Sequence, residues 1–249
     1  MTTNITIVGF GIMGKAIAKT LSRDSSIKIF TIDVDKKDTS GIKKSDFIIL
    51  SVKPQNAREA LEQLRDLGLN KKTILISIVA GYSIKKILHF SSHKKIIRMM
   101  PNLGLSVGAG IAVWKKVGLS ESETKKAKNF IDKITENFEV KDEDIINKVT
   151  AISGSGPAYF FLLADYMQKA SIGLGLSKKE SRLLVEKTFS SASLLGKNMD
   201  YSLLIKKIAS KGGTTEAALR VFRSKNFDKM VLKAMESAYK RAKQLNNAK

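Results

Sequence analysis

Apolar residues in the first part of the chain come in short runs, each followed by a stretch with helical spacing. The pattern predicts a buried strand over Asn4 to Gly9, a helix over Ile12 to Leu21 and a second strand over Ile27 to Asp33. Phe47-Ile48-Ile49-Leu50-Ser51-Val52 is apolar almost throughout, as an interior parallel strand with both faces covered must be. A helix is predicted over Gln55 to Leu67, ending near Gly68, then strands over Thr73 to Val79, Lys95 to Met99 and Ile111 to Trp114. Phe90-Ser91-Ser92 reads as loop. Ser120 with Glu123 is a capping box that opens a helix to about Thr135, and Asn137 to Val140 is a last short strand. Strands alternating with helices imply a largely parallel sheet with right-handed crossovers.

Beyond about Lys141 the pattern becomes helical throughout. Ile145 to Ile152 is followed by a break at Ser153-Gly154-Ser155-Gly156-Pro157, then by an apolar helix over Ala158 to Leu174. Ser177 and Glu180 form a second capping box, starting a helix to about Leu195. Tyr201 to Ala209, Glu216 to Arg223 and Phe227 to Leu245 complete the region. The expected organisation is an α/β domain over residues 1–141 and an all-α domain over 142–249. Apolar helices such as the one holding Phe160 to Leu163 carry more surface than so small a helical domain readily buries, which points to a homodimer or a higher homo-oligomer.

Gly9-Phe10-Gly11-Ile12-Met13-Gly14 ends the first strand and opens the first helix, the context a dinucleotide loop requires. Gly9 allows the tight turn, Gly11 lets backbone approach a diphosphate, and Gly14 lets helix and strand pack closely. The diphosphate then lies on the helix N-terminus, facing the amides of Gly11, Ile12 and Met13. This makes the first domain Rossmann-like. Asp33 ends the second strand, where an acid bonds the ribose 2′-hydroxyl of NAD, while Lys36 and Lys37 are placed to meet an NADP 2′-phosphate. The chain's three prolines mark loops. Pro54, after Val52 and Lys53, and Pro101, before Asn102, follow strands and so line the expected cofactor crevice. Pro157 closes the Ser153–Gly156 stretch, with Gly156 expected to cap the helix that Pro157 begins. The freed amides with the Ser153 and Ser155 hydroxyls form a polar notch, and small residues there, Gly154 among them, let a nicotinamide ring approach the backbone.

Ser210-Lys211-Gly212-Gly213-Thr214-Thr215-Glu216 is a second glycine-rich turn opening a helix. Consecutive amides in such a turn form an anion nest, here assigned to a carboxylate substrate.

The formal net charge is +21, but the lysines are scattered as pairs with no interleaved aromatics, which argues against a specific nucleic-acid surface. The absence of cysteine excludes disulfides and a thiolate nucleophile. No apolar run has transmembrane length and the N-terminus carries no signal-peptide pattern, so a soluble cytoplasmic protein without membrane partners is expected. His89 and His93 have metal-ligand spacing without a third ligand, and no metal is expected. Ser155 lacks the surroundings of a nucleophile elbow.

With these motifs in order, the chain resembles the pyrroline-5-carboxylate reductase family over nearly its whole length. The resemblance rests on Gly9 to Ala16, Val52-Lys53-Pro54-Gln55, Arg98-Met99-Met100-Pro101-Asn102, Ser153 to Tyr159 and Gly212-Gly213-Thr214-Thr215. It implies a C-terminal helical dimerisation domain and NAD(P)H-driven reduction of a cyclic imino acid to L-proline, with NADPH the family's habit and NADH left open by Asp33. It further implies that Thr215 bonds the imine nitrogen, that Gly212 and Gly213 amides hold the carboxylate with Ser210 and Thr214 beside them, and that Lys53 stands by the cofactor. The chain departs from the family at Lys211, Leu103-Gly104, Asp165 and Asp200-Tyr201. Alternative readings are a reductase of a related imine or hydroxy acid on the same scaffold, and a non-catalytic dinucleotide-binding protein.

Overall fold

The computed structural model describes residues 2–33 and 39–247, so Lys36 and Lys37 lie outside the described residues. The chain forms two compact units, one of Met1–Ser155 with Ser237–Lys249 and one of Gly156–Glu236.

The first unit is built on a seven-stranded sheet. Its strands are β1 (Thr3–Val8), β2 (Ile27–Ile32), β3 (Phe47–Leu50), β4 (Ile74–Ser77), β5 (Ile96–Pro101), β6 (Ile111–Val117) and β7 (Glu136–Glu139). The order is β2-β1-β3-β4-β5-β6-β7. β1 to β5 are parallel, β6 runs antiparallel to β5, and β7 is parallel to β6. Alternation along each strand divides the core in two. Ile5, Ile7, Phe47, Ile49, Ile74 and Ile76 meet α1 (Ile12–Leu21) and α4 (Glu121–Asp132) on one face. Val8, Ile48, Leu50 and Leu75 meet α2 (Ala57–Leu67) and α3 (Ile84–Ser91) on the other. The unbroken apolar runs of β3 and β4 follow from cover on both faces.

α3 takes in Phe90 and Ser91, which the pattern reads as loop. The Ser83 hydroxyl caps it, accepting from Lys86 N at 3.3 Å, and Ile84 and Ile87 are buried beneath it. His89 therefore lies on a helix, while buried His93 bonds the Thr73 carbonyl through Nε2 at 2.7 Å. Burial pushes the His93 imidazole below its ordinary range; the Thr73 bond opposes this and Lys95 adds to it. A histidine depressed in the fold is protonated more readily in the unfolded chain. Its contribution to stability is therefore complete above about pH 6.5 and is lost as pH falls toward the folded-state pKa. His93→Gln is expected to lose less stability than the parent between about pH 7.5 and 5.5 in urea titrations, and equal losses would exclude His93 as a source.

α5 (Asp144–Val149) packs with the first unit, although the composition changes near Lys141. Ile146 is fully buried with Met100, Val113 and Val140. Buried Arg98 of β5 donates to Glu143 Oε1 and Asn147 Oδ1, each at 2.7 Å. Tyr239 donates to Asp144 Oδ2 at 2.6 Å, which ties the end of the chain's last helix, α10 (Phe227–Asn247), to the same unit. The break expected at Ser153–Pro157 is instead a π turn over Thr150–Gly154, closed by Ser155 N donating to Thr150 O at 2.9 Å. The helix that follows starts at Gly156 itself, so Gly156 is its first residue and not a cap outside it.

The second unit holds α6 (Gly156–Gly173), α7 (Lys178–Leu195), α8 (Tyr201–Ile208), α9 (Thr214–Ser224) and the first part of α10. The capping boxes at Ser120 and Ser177 both form. Phe160 and Phe161 approach Phe189 at 6.0 and 6.3 Å between ring centres, yet both remain about 60% exposed. Leu162, Tyr166, Leu183, Leu184, Leu194 and Leu195 are also exposed, a concentration of bare apolar side chains on α6 and α7 of the kind that marks an interaction surface. No helix of the described residues is long and apolar enough to cross a membrane.

Candidate active site

In this strand order the chain leaves β1 for β2 on one side and has β3 on the other, a switch point that opens a crevice at the carboxyl ends. Gly9 stands there with φ +91°, a conformation side chains rarely adopt, and a Cβ on it would lie 2.7 Å from Ser51 O. A Cβ on Gly14 would lie 2.3 Å from Gly9 O, so helix and turn meet this closely only because residue 14 is glycine. A Cβ on Gly11 would meet nothing within 4 Å. Gly11 caps α1 without a side-chain bond, so the first amides of the helix, on Ile12, Met13 and Gly14, face outward with no intrahelical acceptor. That geometry fits a diphosphate.

A cavity of about 630 Å³ extends from Gly9 and is also lined by Asp33, Thr39, Val52, Asn56 and Gln63. The structure thus brings Gly9, Asp33 and Val52 to one hollow. Thr39, Asn56 and Gln63 escape sequence reasoning; Asn56 carried one usable signal, its place directly after Lys53-Pro54-Gln55. Lys53 is exposed and extended, and Pro54 starts a single 3₁₀ turn after it.

Pro101 ends β5, and Asn102 fixes the loop that follows: its side-chain oxygen accepts from Ile111 N at 3.1 Å. Gly104, one of the departures from the family pattern, is required locally, since a Cβ there would lie 2.5 Å from Ala109 O. Gly154 faces the end of β5, a Cβ on it falling 3.8 Å from Met100 Sδ, and Ser153 donates to Val149 O at 3.3 Å. Gly154 thereby lies near Met100, the residue before Pro101, at the carboxyl end of β5.

In the second unit the turn before α9 is a tight structure of its own. Gly212 has φ +74°. Gly213 N donates to Ser210 O at 3.0 Å, and a Cβ on Gly213 would lie 2.5 Å from Ser210 Oγ. The Gly213 amide, expected to face an anion, is therefore already bonded within the turn. Gly213 caps α9 without a side chain, leaving the amides of Thr214 and Thr215 without an intrahelical acceptor. Gly212 N donates to Glu216 Oε2 at 2.6 Å. Thr215 is half-buried. Among the described residues no group of three His, Cys, Asp or Glu is placed to hold a metal.

Residues 143–245 match the family described as pyrroline-5-carboxylate reductase dimerisation, and residues 30–81 match the family described as NADP oxidoreductase, coenzyme F420-dependent. The pyrroline-5-carboxylate reductase of Haemophilus influenzae is 35% identical over 81% of this chain and 76% of its own. That of Aquifex aeolicus is 31% identical over 98% of both. The crystal structure of Plasmodium falciparum pyrroline carboxylate reductase with NADP bound superposes with a TM-score of 0.88 at 27% identity, covering 98% of each chain. The Coxiella burnetii pyrroline-5-carboxylate reductase gives 0.84 at 30% identity, covering 98% of this chain and 99% of its own. A doubly wound domain with an uncapped glycine loop, a helical unit with a second such loop, and this extent of likeness agree: the chain belongs to the pyrroline-5-carboxylate reductase family.

Proposed function

We propose that the chain reduces 1-pyrroline-5-carboxylate to L-proline with NAD(P)H, as the last step of proline synthesis in the cytoplasm. The observation that carries this reading is the pair of glycine-opened helix starts. α1 and α9 both begin on a glycine with no side-chain cap, leaving backbone amides for an anion. The first suits a diphosphate and the second a small carboxylate.

On this reading Gly9, Gly11, Ile12, Met13 and Gly14 hold the diphosphate, and Asp33 with Val52 lines the adenosine hollow. Lys53, Pro54, Pro101, Asn102, Ser153 and Gly154 frame the nicotinamide end. An acid at Asp33 suits a ribose 2′-hydroxyl and leaves NADH open beside NADPH. When bound, the cofactor supplies the hydride.

Gly212 N–H and the Thr214 and Thr215 amides hold the substrate carboxylate, with Ser210 shaping the turn through its bond from Gly213. Thr215 Oγ1 accepts from the N–H of the substrate iminium and orients the C=N bond. A threonine hydroxyl is a poor acid, so the imine arrives protonated or takes its proton from water. The chain's contribution is position and exclusion of water. The helical unit supplies the homodimer or higher homo-oligomer, which the exposed faces of α6 and α7 favour.

Gly11→Ala is expected to change stability by no more than about 1 kcal/mol, since its Cβ meets no neighbour. It is expected to weaken cofactor binding about tenfold by standing over the open amides, measured by fluorescence titration. Unchanged affinity would place the diphosphate elsewhere. The function itself is tested by following nicotinamide absorbance with five- and six-membered cyclic imino acids and each cofactor. Faster turnover of the five-membered substrate, with L-proline as product, is the expected result. Tight cofactor binding without turnover would sink the proposal.

A further inference from the structure

We infer that Glu216 competes with the substrate's carboxylate for the Gly212 amide and so sets the affinity for the acid substrate; this rests on the reading of that turn as the substrate site. The contrast with two other helix starts in the same chain carries the argument. At α4 and α7 the glutamate in the third helical position folds back onto the amide of its own serine cap: Glu123 accepts from Ser120 N at 3.0 Å and Glu180 from Ser177 N at 2.9 Å. In both, the serine hydroxyl accepts in return from the glutamate's amide, so those starts are closed. Glu216 holds the same third position on α9, but the cap is Gly213, which has no hydroxyl to return the bond. The Gly213 amide is already bonded to Ser210 O. Glu216 therefore reaches one residue further back and takes the Gly212 N–H at 2.6 Å, a short charge-assisted contact.

The result is a helix start whose next amides stay open while a resident carboxylate sits on the amide in front of them. The chemical group resting there is the one the substrate presents. Two carboxylates cannot accept the same N–H, and their charges repel at that separation, so Glu216 must swing away as the substrate acid enters. An acid ligand meets this competition in full, and an ester of the same shape does not. Glu216 thus tunes affinity and discriminates by ligand charge.

The test is steady-state kinetics of the full-length protein, Glu216→Ala and Glu216→Gln at saturating cofactor. The KM for pyrroline-5-carboxylate is expected to fall roughly three- to tenfold in Glu216→Ala and less in isosteric Glu216→Gln, which keeps a neutral acceptor. The change falls on KM rather than kcat, and the KM for cofactor stays put. Product inhibition by L-proline should tighten by the same factor, and inhibition by its methyl ester should not. A merely structural cap predicts the opposite sign, since a loosened turn binds substrate more weakly. An unchanged or raised KM in an active enzyme overturns the inference alone. A wild-type protein that turns over no pyrroline-5-carboxylate overturns the underlying reading and this inference with it.

Discussion

Glu143→Ala is expected to destabilise the first unit by about 3–5 kcal/mol, the largest effect of any substitution considered, because it strands a buried guanidinium. Arg98 is 1% exposed at the heart of β5. Burial works against its charge, and the Glu143 bond and charge oppose that effect. An arginine does not escape by losing its proton, so without Glu143 the charge stays buried, bonded to the Asn147 oxygen. Glu143 Oε1 also accepts from Ile84 N at 2.9 Å, so the same substitution frees the first amide of α3. Glu143→Gln keeps an acceptor in place and should cost less, about 1–3 kcal/mol. Arg98→Met combined with Glu143→Ala should be milder than Glu143→Ala alone, because it removes the charge as well as its partner. Urea unfolding of the four proteins checks the order. If the double variant proves the least stable, the pair is not the anchor described. Since typical domains are stable by only about 5–15 kcal/mol, Glu143→Ala should sit close to the unfolding threshold. The anchor also bears on function. It ties β5, which leads to Pro101 and Asn102, to α5, which leads to Ser153 and Gly154, so its loss should raise the KM for cofactor before the fold is lost.

Thr215→Val should lower kcat/KM for pyrroline-5-carboxylate tenfold to a hundredfold, about 1.5–3 kcal/mol, with cofactor affinity unchanged. Valine keeps the shape and removes the hydroxyl. Thr215 is half-buried near the start of α9, and on the proposed reading loss of its hydroxyl leaves the iminium N–H without an acceptor. The backbone amides remain, so carboxylate binding persists and the loss should fall chiefly on kcat. Thr215→Ser restores the oxygen and should recover most of the rate. Stopped-time assays at saturating cofactor measure both. Full activity in the valine variant would remove Thr215 from the mechanism.

The strands and the glycine turn around the Gly9–Gly14 loop were legible because their signals are local. The dinucleotide loop needs three glycines at close spacing after an apolar strand, and β3 and β4 show themselves through runs with no polar face. The two serine–glutamate capping boxes are likewise four-residue patterns. What escaped depends on partners distant in sequence or on backbone freedom. α3 spans only eight residues and ends in His89-Phe90-Ser91, too short to show a period. Ser-Gly-Ser-Gly-Pro reads as a break, yet the backbone stays helical there by lengthening one turn to a π bond. The packing break near Ser155 lies beyond the change in composition because Ile146 and Asn147 of α5 complete the core and the Arg98 site of the sheet. The antiparallel direction of β6 is absent from any pattern of apolar residues. In the turn before α9, the glycine-rich spacing suggests a nest of amides, but the bonds of Gly213 to Ser210 and of Gly212 to Glu216 are geometry alone.

The central claim is that one glycine-opened helix grips a dinucleotide and the other grips a small acid for a single hydride transfer. A crystal structure of the protein with nicotinamide cofactor and L-proline together tests it most directly. The account predicts the proline carboxylate on the Gly212 N–H with Glu216 displaced, Thr215 Oγ1 at the ring nitrogen, and the reacting carbons about 3–3.5 Å apart. Proline bound away from Gly212 and Thr215, with the cofactor on the Gly9–Gly14 loop, would contradict it.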